Sequence, residues 1–234
     1  MTCDESTSAT DALRDKALWV HERLLTFYGE PTRKEQRDPL SELVLTILSQ
    51  NTADVNTARS YAALRQRFAT WEDVLAADPA DVAEAIHIGG LANIKAPRIQ
   101  RILQQLRAER GGLDLDFLAT MPVAEARQYL TSLHGVGPKT AACVLLFSLH
   151  KPALPVDTHV HRIARRVGLV PDRASAEKAH EILESLLPEE AYYPFHLNVI
   201  HHGRTLCKAQ KPQCGRCPLC ASCDYARQHD VLFP

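Results

Sequence analysis

Apolar residues recur at helical spacing along most of the chain. In the segment 11–29, DALRDKALWVHERLLTFYG, Leu13, Ala17, Val20, Leu24 and Leu25 share one helical face, and Gly29 marks the stop. Asp38-Pro39 opens LSELVLTILSQ, with an Asp suited to the N-cap and a Pro suited to the first helical position. Asp78-Pro79 repeats that signal before ADVAEAIHI, which stops at Gly89-Gly90. Thr70-x-x-Asp73 reads as the cap of a short helix. Further helices are expected over 51–68, 92–112, 123–133, 140–149, 158–169 and 175–187, and Pro97 fits only if it lies in a first turn. The chain shows no alternating strand pattern and no hairpin turn. The pattern predicts an all-α fold.

A length of 234 residues suits one large domain or two small intertwined lobes. Residues 1–10 are expected to be disordered and residues 228–234 to form a loose tail. No apolar run approaches the ~18 residues that a membrane helix needs. The polar, acidic start MTCDESTSATDALRD lacks the marks of a secretory signal, so a cytoplasmic protein with no membrane partner is expected. The net charge of -1 does not point to a polyanion, but its distribution does. Between Ala126 and Pro171 the only acid is Asp157, against Arg127, Lys139, Lys151, Arg162, Arg165 and Arg166. From His201 to Cys223 there is no acid, against Arg204, Lys208, Lys211 and Arg216. One electropositive face on a near-neutral protein suits nucleic acid.

Cys3 and Cys143 stand apart, and Cys143 reads as a small buried hydrophobe. Cys207, Cys214, Cys217, Cys220 and Cys223 crowd together, a spacing that reads as a metal site before it reads as disulfides. Zinc ribbons set two C-x2-C knuckles well apart, whereas an all-thiolate set within 207–223 also suits a [4Fe-4S] cluster. Spacing alone leaves both open. Cys220 makes a second set, Cys214, Cys217, Cys220 and Cys223, conceivable.

The stretch 133–141, LHGVGPKTA, joins two predicted helices. Gly135 and Gly137 are expected to let the backbone take positive φ, with Val136 tucked onto the core. Amides turned outward at the positive end of the second helix suit a phosphate oxygen; a plain glycine turn is the simpler reading. Lys139 falls in the first turn, where the dipole opposes a cation, and burial there makes a neutral, nucleophilic amine more available. In PVDTHVHRIARRVG, Asp157 can cap the helix from Thr158, orient an amine, or stabilise positive charge on a sugar.

LHGVGPKTA, PVDTHVHRIARRVGLV and the tail HGRTLCKAQKPQCGRCPLCASC together resemble the endonuclease III family of helix-hairpin-helix DNA glycosylases. The tail carries Cys207-x6-Cys214-x2-Cys217-x5-Cys223, similar to that family's [4Fe-4S] motif, and the resemblance runs from about Pro39 to Cys223. It implies a helical barrel domain over 39–150, an iron-sulfur cluster domain over 11–38 and 151–227, and a DNA-binding cleft between them. It implies cluster ligation by Cys207, Cys214, Cys217 and Cys223. It implies a base excision repair enzyme, working as a monomer and nucleoid-associated, whose partner is double-stranded DNA containing damaged bases or abasic sites.

In that reading the damaged base flips out, Lys139 attacks C1′, Asp157 stabilises the charged sugar, and β-elimination cuts the strand. Leu91 and either Gln50 or Asn51 fill the gap, while Gly135, Val136, Gly137, Lys208 and Lys211 meet the DNA backbone. Oxidised pyrimidines are the implied substrate. A mismatched thymine or uracil, or a methylated base, is the alternative on the same fold. A non-catalytic helix-hairpin-helix DNA-binding protein is the alternative of another class. His134 stands where relatives usually carry proline, and Pro138 precedes the lysine; both departures bear on substrate. His159, His161, His201 and His202 are assigned no role beyond packing or surface.

Overall fold

The computed structural model describes residues 4–33 and 36–229, with side chains from residue 9 on. Twelve α-helices follow one another among the described residues, with short 3-10 turns and no strand. They are α1 (Asp4–Tyr28), α2 (Pro39–Ser49), α3 (Asp54–Arg67), α4 (Trp71–Ala76), α5 (Pro79–Ala85), α6 (Ala92–Arg110), α7 (Val123–Ser132), α8 (Pro138–Cys143), α9 (Thr158–Val167), α10 (Ala176–Leu186), α11 (Tyr192–Thr205) and α12 (Asp224–Gln228).

The capping signals form the bonds they suggest. Asp38 accepts the Ser41 N–H at 2.8 Å and Asp78 the Ala80 N–H at 2.8 Å. Thr70 and Asp73 make both bonds of a capping box. Three expectations need correction. Helix α1 starts at Asp4 instead of near residue 11, because neither glycine nor proline interrupts 4–28; residues 1–3 and 230–234 lie outside the described residues. Pro97 sits in the second turn of α6; the carbonyl it deprives is that of exposed Asn93, where water can replace the donor. Helix α11 was not anticipated: its aromatic start and Pro194 hide the period, but a proline within the first turn costs no helical bond.

The chain divides into two units, Glu35–Lys151 and Met1–Lys34 with Pro152–Pro234. In the first, α2 is the central helix, packed on α3, α6 and α8. Leu40, Leu43, Val44, Ile47 and Leu48 are all buried, which is why α2 is apolar nearly all round. Helix α6 adds Ile99, Ile102, Leu103 and Leu106, and α7 packs against α8. After Cys143 the helix widens into a π turn over Val144–Ser148, with the Leu149 N–H reaching the Val144 carbonyl at 3.2 Å. In the second unit, α1 lays Ala17, Val20 and Leu24 against α10 and α11, while α9 packs on α10, α11 and α12.

Only one glycine of the α7–α8 turn takes positive φ. Gly135 does so at φ 73°, and a Cβ there would lie 2.7 Å from Arg98 Nε. Gly137 is extended at φ -95° as the N-cap of α8, and a Cβ there would meet nothing within 4 Å. Gly135→Ala should therefore cost about 1–2 kcal/mol from the left-handed backbone alone, and Gly137→Ala much less. Urea denaturation of both variants measures the difference; equal losses would contradict this account of the turn.

Candidate functional site

Val136 anchors the hairpin turn, 5% exposed, with its N–H on the Leu133 carbonyl at 3.1 Å. The N–H groups of exposed Gly135 and Gly137 donate to no acceptor among the described residues. Pro138 opens α8 and has no N–H to place. Lys139 follows, half-buried, and makes no hydrogen bond or ion pair among the described residues. Open amides and an unpaired ammonium at a positive helix end form an anion-receptive surface. The same amine, with no carboxylate holding it, is available as a nucleophile.

The residues after α2 meet this turn. Gln50 Nε2 lies 3.5 Å from the Thr140 hydroxyl, and Gln50 Oε1 accepts from Arg98 Nη1 at 2.7 Å. Arg98 is the same side chain that lies against Gly135. Gln50 is thus held internally, while Asn51 is exposed in the left-handed region at φ 52°. Leu91 does not pack in the core: it is 49% exposed at φ 54°, with Ile88 and Ile94 exposed near it in sequence. Beneath these residues Lys95 is almost fully buried and reaches both loops, a residue the sequence reading passed over. The available signal was its register, because Lys95 continues the stripe of Ile99, Ile102 and Leu106.

In the other unit Asp157 caps α9. Its Oδ1 accepts the N–H groups of His159 at 2.9 Å and Val160 at 2.8 Å, and Oδ2 accepts nothing among the described residues. One turn on, Arg162 donates to the carbonyls of Gly203 at 3.0 Å and Cys207 at 2.9 Å. It also reaches His159 Nδ1 at 3.1 Å, while His161 Nε2 bonds the Ala174 carbonyl at 2.8 Å. Arg166 donates to the carbonyls of Lys208 at 2.7 Å and Ala209 at 2.9 Å, and to Cys207 Sγ at 3.3 Å. These bonds fix the loop backbone and leave Lys208 and Lys211 exposed, the latter at φ 49°.

Cys207, Cys214, Cys217, Cys220 and Cys223 line one cavity together with Arg166, Leu206 and Tyr225. None is in a disulfide. Burial pushes the Cys217 thiol up to about 12 and raises Cys214, Cys220 and Cys223. A metal that takes thiolates supplies the counter-charge such thiols lack. His202 was expected to be a packing or surface group. Its ring is wholly buried, with Nδ1 2.9 Å from the Tyr28 hydroxyl and Nε2 3.3 Å from Cys217 Sγ. Burial, with smaller contributions from His201 and Arg162, drives its pKa down to about 4, so the ring is neutral. No local motif marks that role, because Tyr28 is distant in sequence. Cys143 is buried, as expected for a small hydrophobe. His134 is exposed and accepts from Arg101 Nη1 at 3.1 Å.

Comparison with known proteins connects these features. The pattern of the HhH-GPD superfamily of base excision DNA repair proteins matches residues 44–189, a span that includes the hairpin, Lys139 and Asp157. Endonuclease III of Thermotoga maritima is 37% identical over 198 residues, 85% of this chain and 88% of its own. A protein of Arabidopsis thaliana named as a DNA glycosylase is 40% identical over 177 residues, 76% of this chain, and the chain spans 60% of that relative's length. A solved non-covalent endonuclease III–DNA complex matches at TM-score 0.80 and 27% identity, over 94% of this chain and 99% of that one. Among the described residues no helix is long and apolar enough to cross a membrane. With its hairpin lysine, capping aspartate and all-helical fold inside the matched span, the chain belongs to the HhH-GPD superfamily of base excision DNA repair proteins.

Proposed function

We propose that the protein is a bifunctional DNA glycosylase and abasic-site lyase that removes oxidised pyrimidines from double-stranded DNA. The observation that carries this reading is Lys139, an unpaired, half-buried amine directly behind a turn whose amides are open to phosphate. The name of the Thermotoga maritima relative and the DNA in the solved complex support the same partner.

A base inside the duplex is out of reach, so the nucleotide must rotate out of the stack. The open amides of Gly135 and Gly137, with Lys208 and Lys211, suit its flanking phosphates, and exposed Asn51 and Leu91 suit the space it leaves. As the bond from C1′ to the base breaks, the base departs with the electron pair and the sugar becomes positive. The spare Oδ2 of Asp157 suits that charge, while Oδ1 keeps the helix cap. Lys139 Nζ bonds to C1′ and loses its proton, and ring opening gives a Schiff base. Loss of a C2′ proton then breaks the C3′–O bond, and water releases the amine.

The cysteine cavity supports a [4Fe-4S] cluster held by Cys207, Cys214, Cys217 and Cys223. A cubane takes four thiolates and suits a cavity lined by cysteines. Bound there, the cluster supplies a rigid anchor for the loop that carries Lys208 and Lys211. Arg166 and His202, against Cys207 and Cys217, suit thiolate sulfurs as donors.

Four experiments test this. Borohydride should trap a covalent complex with abasic-site duplex, and Lys139→Gln should abolish it. Asp157→Asn keeps the capping oxygen and should slow single-turnover base release about 10²–10³-fold; trapping by Lys139→Gln, or full activity of Asp157→Asn, removes that residue from the mechanism. Cys207→Ser should lose the broad visible absorption of about four irons per chain, and Cys220→Ser should keep it; the reverse result selects the other ligand set. Duplexes carrying thymine glycol or dihydrouracil should be cut, and a G·T mismatch should not. Cleavage of the mismatch alone overturns the substrate class.

A further inference from the structure

Lys95 is among the largest buried side chains of the described residues, only 2% exposed. No carboxylate among the described residues pairs with it. Its ammonium donates to the Leu48 carbonyl at 2.7 Å, the Thr52 hydroxyl at 2.7 Å and the Gly89 carbonyl at 3.1 Å. Burying a cation away from any counter-ion is unfavourable, and here burial, with the nearby Arg98 charge, lowers its pKa.

Each partner explains part of why the charge is tolerated. Leu48 lies in the last turn of α2, where carbonyls have no helical donor and the dipole is negative. Gly89 ends a short 3-10 turn, after which the backbone runs through two left-handed residues, Gly90 at φ 67° and Leu91 at φ 54°. Thr52 Oγ1 also lies 3.0 Å from the Gln50 carbonyl and 2.5 Å from that of Gly89. One ammonium thus grips two loops, 50–52 and 89–91. Each loop presents one exposed residue in the left-handed region: Asn51, a residue type that tolerates it, and Leu91, one that rarely adopts it. Lys95 itself stands one turn along α6 from Leu91, with its N–H on the Leu91 carbonyl at 2.9 Å.

We propose that Lys95 is a positioning residue for DNA opening, its buried charge locking the two loops together so that Asn51 and Leu91 enter the duplex as one wedge. The inference rests on the reading that these two residues fill the space of the flipped nucleotide. It assigns Lys95 to unpairing and not to the chemistry at C1′.

Lys95→Met keeps the stem and removes the charge, and Lys95→Arg keeps the charge. In single-turnover assays Lys95→Met should release a damaged base from fully paired duplex about tenfold or more slowly, yet cleave an abasic site inside an unpaired bubble within about twofold of wild type. Leu91→Ala should slow release from paired duplex to a similar degree, and the double variant should be no worse than the slower single one, because both act through one wedge. Lys95→Arg should recover part of the duplex rate. If Lys95→Met does not fold, Thr52→Ala, which removes one of the three acceptors, makes the same comparison. Equal loss on both substrates, tracking a fall in melting temperature by circular dichroism, makes Lys95 a general stabiliser and overturns the proposal. If Leu91→Ala leaves duplex excision intact, the wedge reading fails and this inference with it. If Leu91→Ala slows excision and Lys95→Met does not, the inference about Lys95 fails alone.

Discussion

Every helix end carries backbone groups that the helix cannot pair, and with twelve helices among the described residues this constraint recurs throughout the fold. Several ends are closed by side chains. Asp38, Asp78, Thr70 and Ser175 close N-termini. Arg162 closes the C-terminus of α11 and Lys95 that of α2. The start of α8 is different: its turn amides meet no acceptor among the described residues. Those open amides, at the positive end of a helix, are what an anion such as a phosphate can occupy.

Asp157 shows how one residue can serve both purposes. A carboxylate has two oxygens, and capping α9 uses one. The second retains its charge and its lone pairs. The cap therefore fixes the orientation of the group without consuming it, and a loop-borne aspartate would lack that restraint. Buried polar groups elsewhere follow the same economy of partners. His202 is kept neutral and bonded at both ring nitrogens, and Lys95 is kept between three oxygen acceptors.

The sequence made legible whatever is local. Asp-Pro pairs announced α2 and α5, Thr70-x-x-Asp73 announced α4, and the helical period announced α6 and α9. What stayed hidden depends on partners far along the chain or on geometry finer than residue type. The pairing of Tyr28 with His202 spans most of the sequence. Gly135 and Gly137 look equivalent as letters, but one is required by its dihedral and by Arg98 while the other is extended with open space around it. Gln50 and Asn51 could not be told apart by spacing; Arg98 and Thr140 distinguish them by holding only the first. Lys95 lies in an apolar stripe with no local signal of its role, because a buried cation is justified only by carbonyls that folding brings to it.

The π turn over Val144–Ser148 separates two decisions that an ordinary helix would couple. Each residue of an α-helix rotates the chain by about 100°, so the face on which Lys139 emerges would normally dictate the direction in which the chain leaves. The widened turn absorbs one extra residue, and Ser148, whose hydroxyl bonds the Arg37 carbonyl at 2.6 Å, fixes the exit independently. Removing one residue from the π turn would rotate whatever follows Ser148 by about 100° and leave Lys139 where α8 puts it.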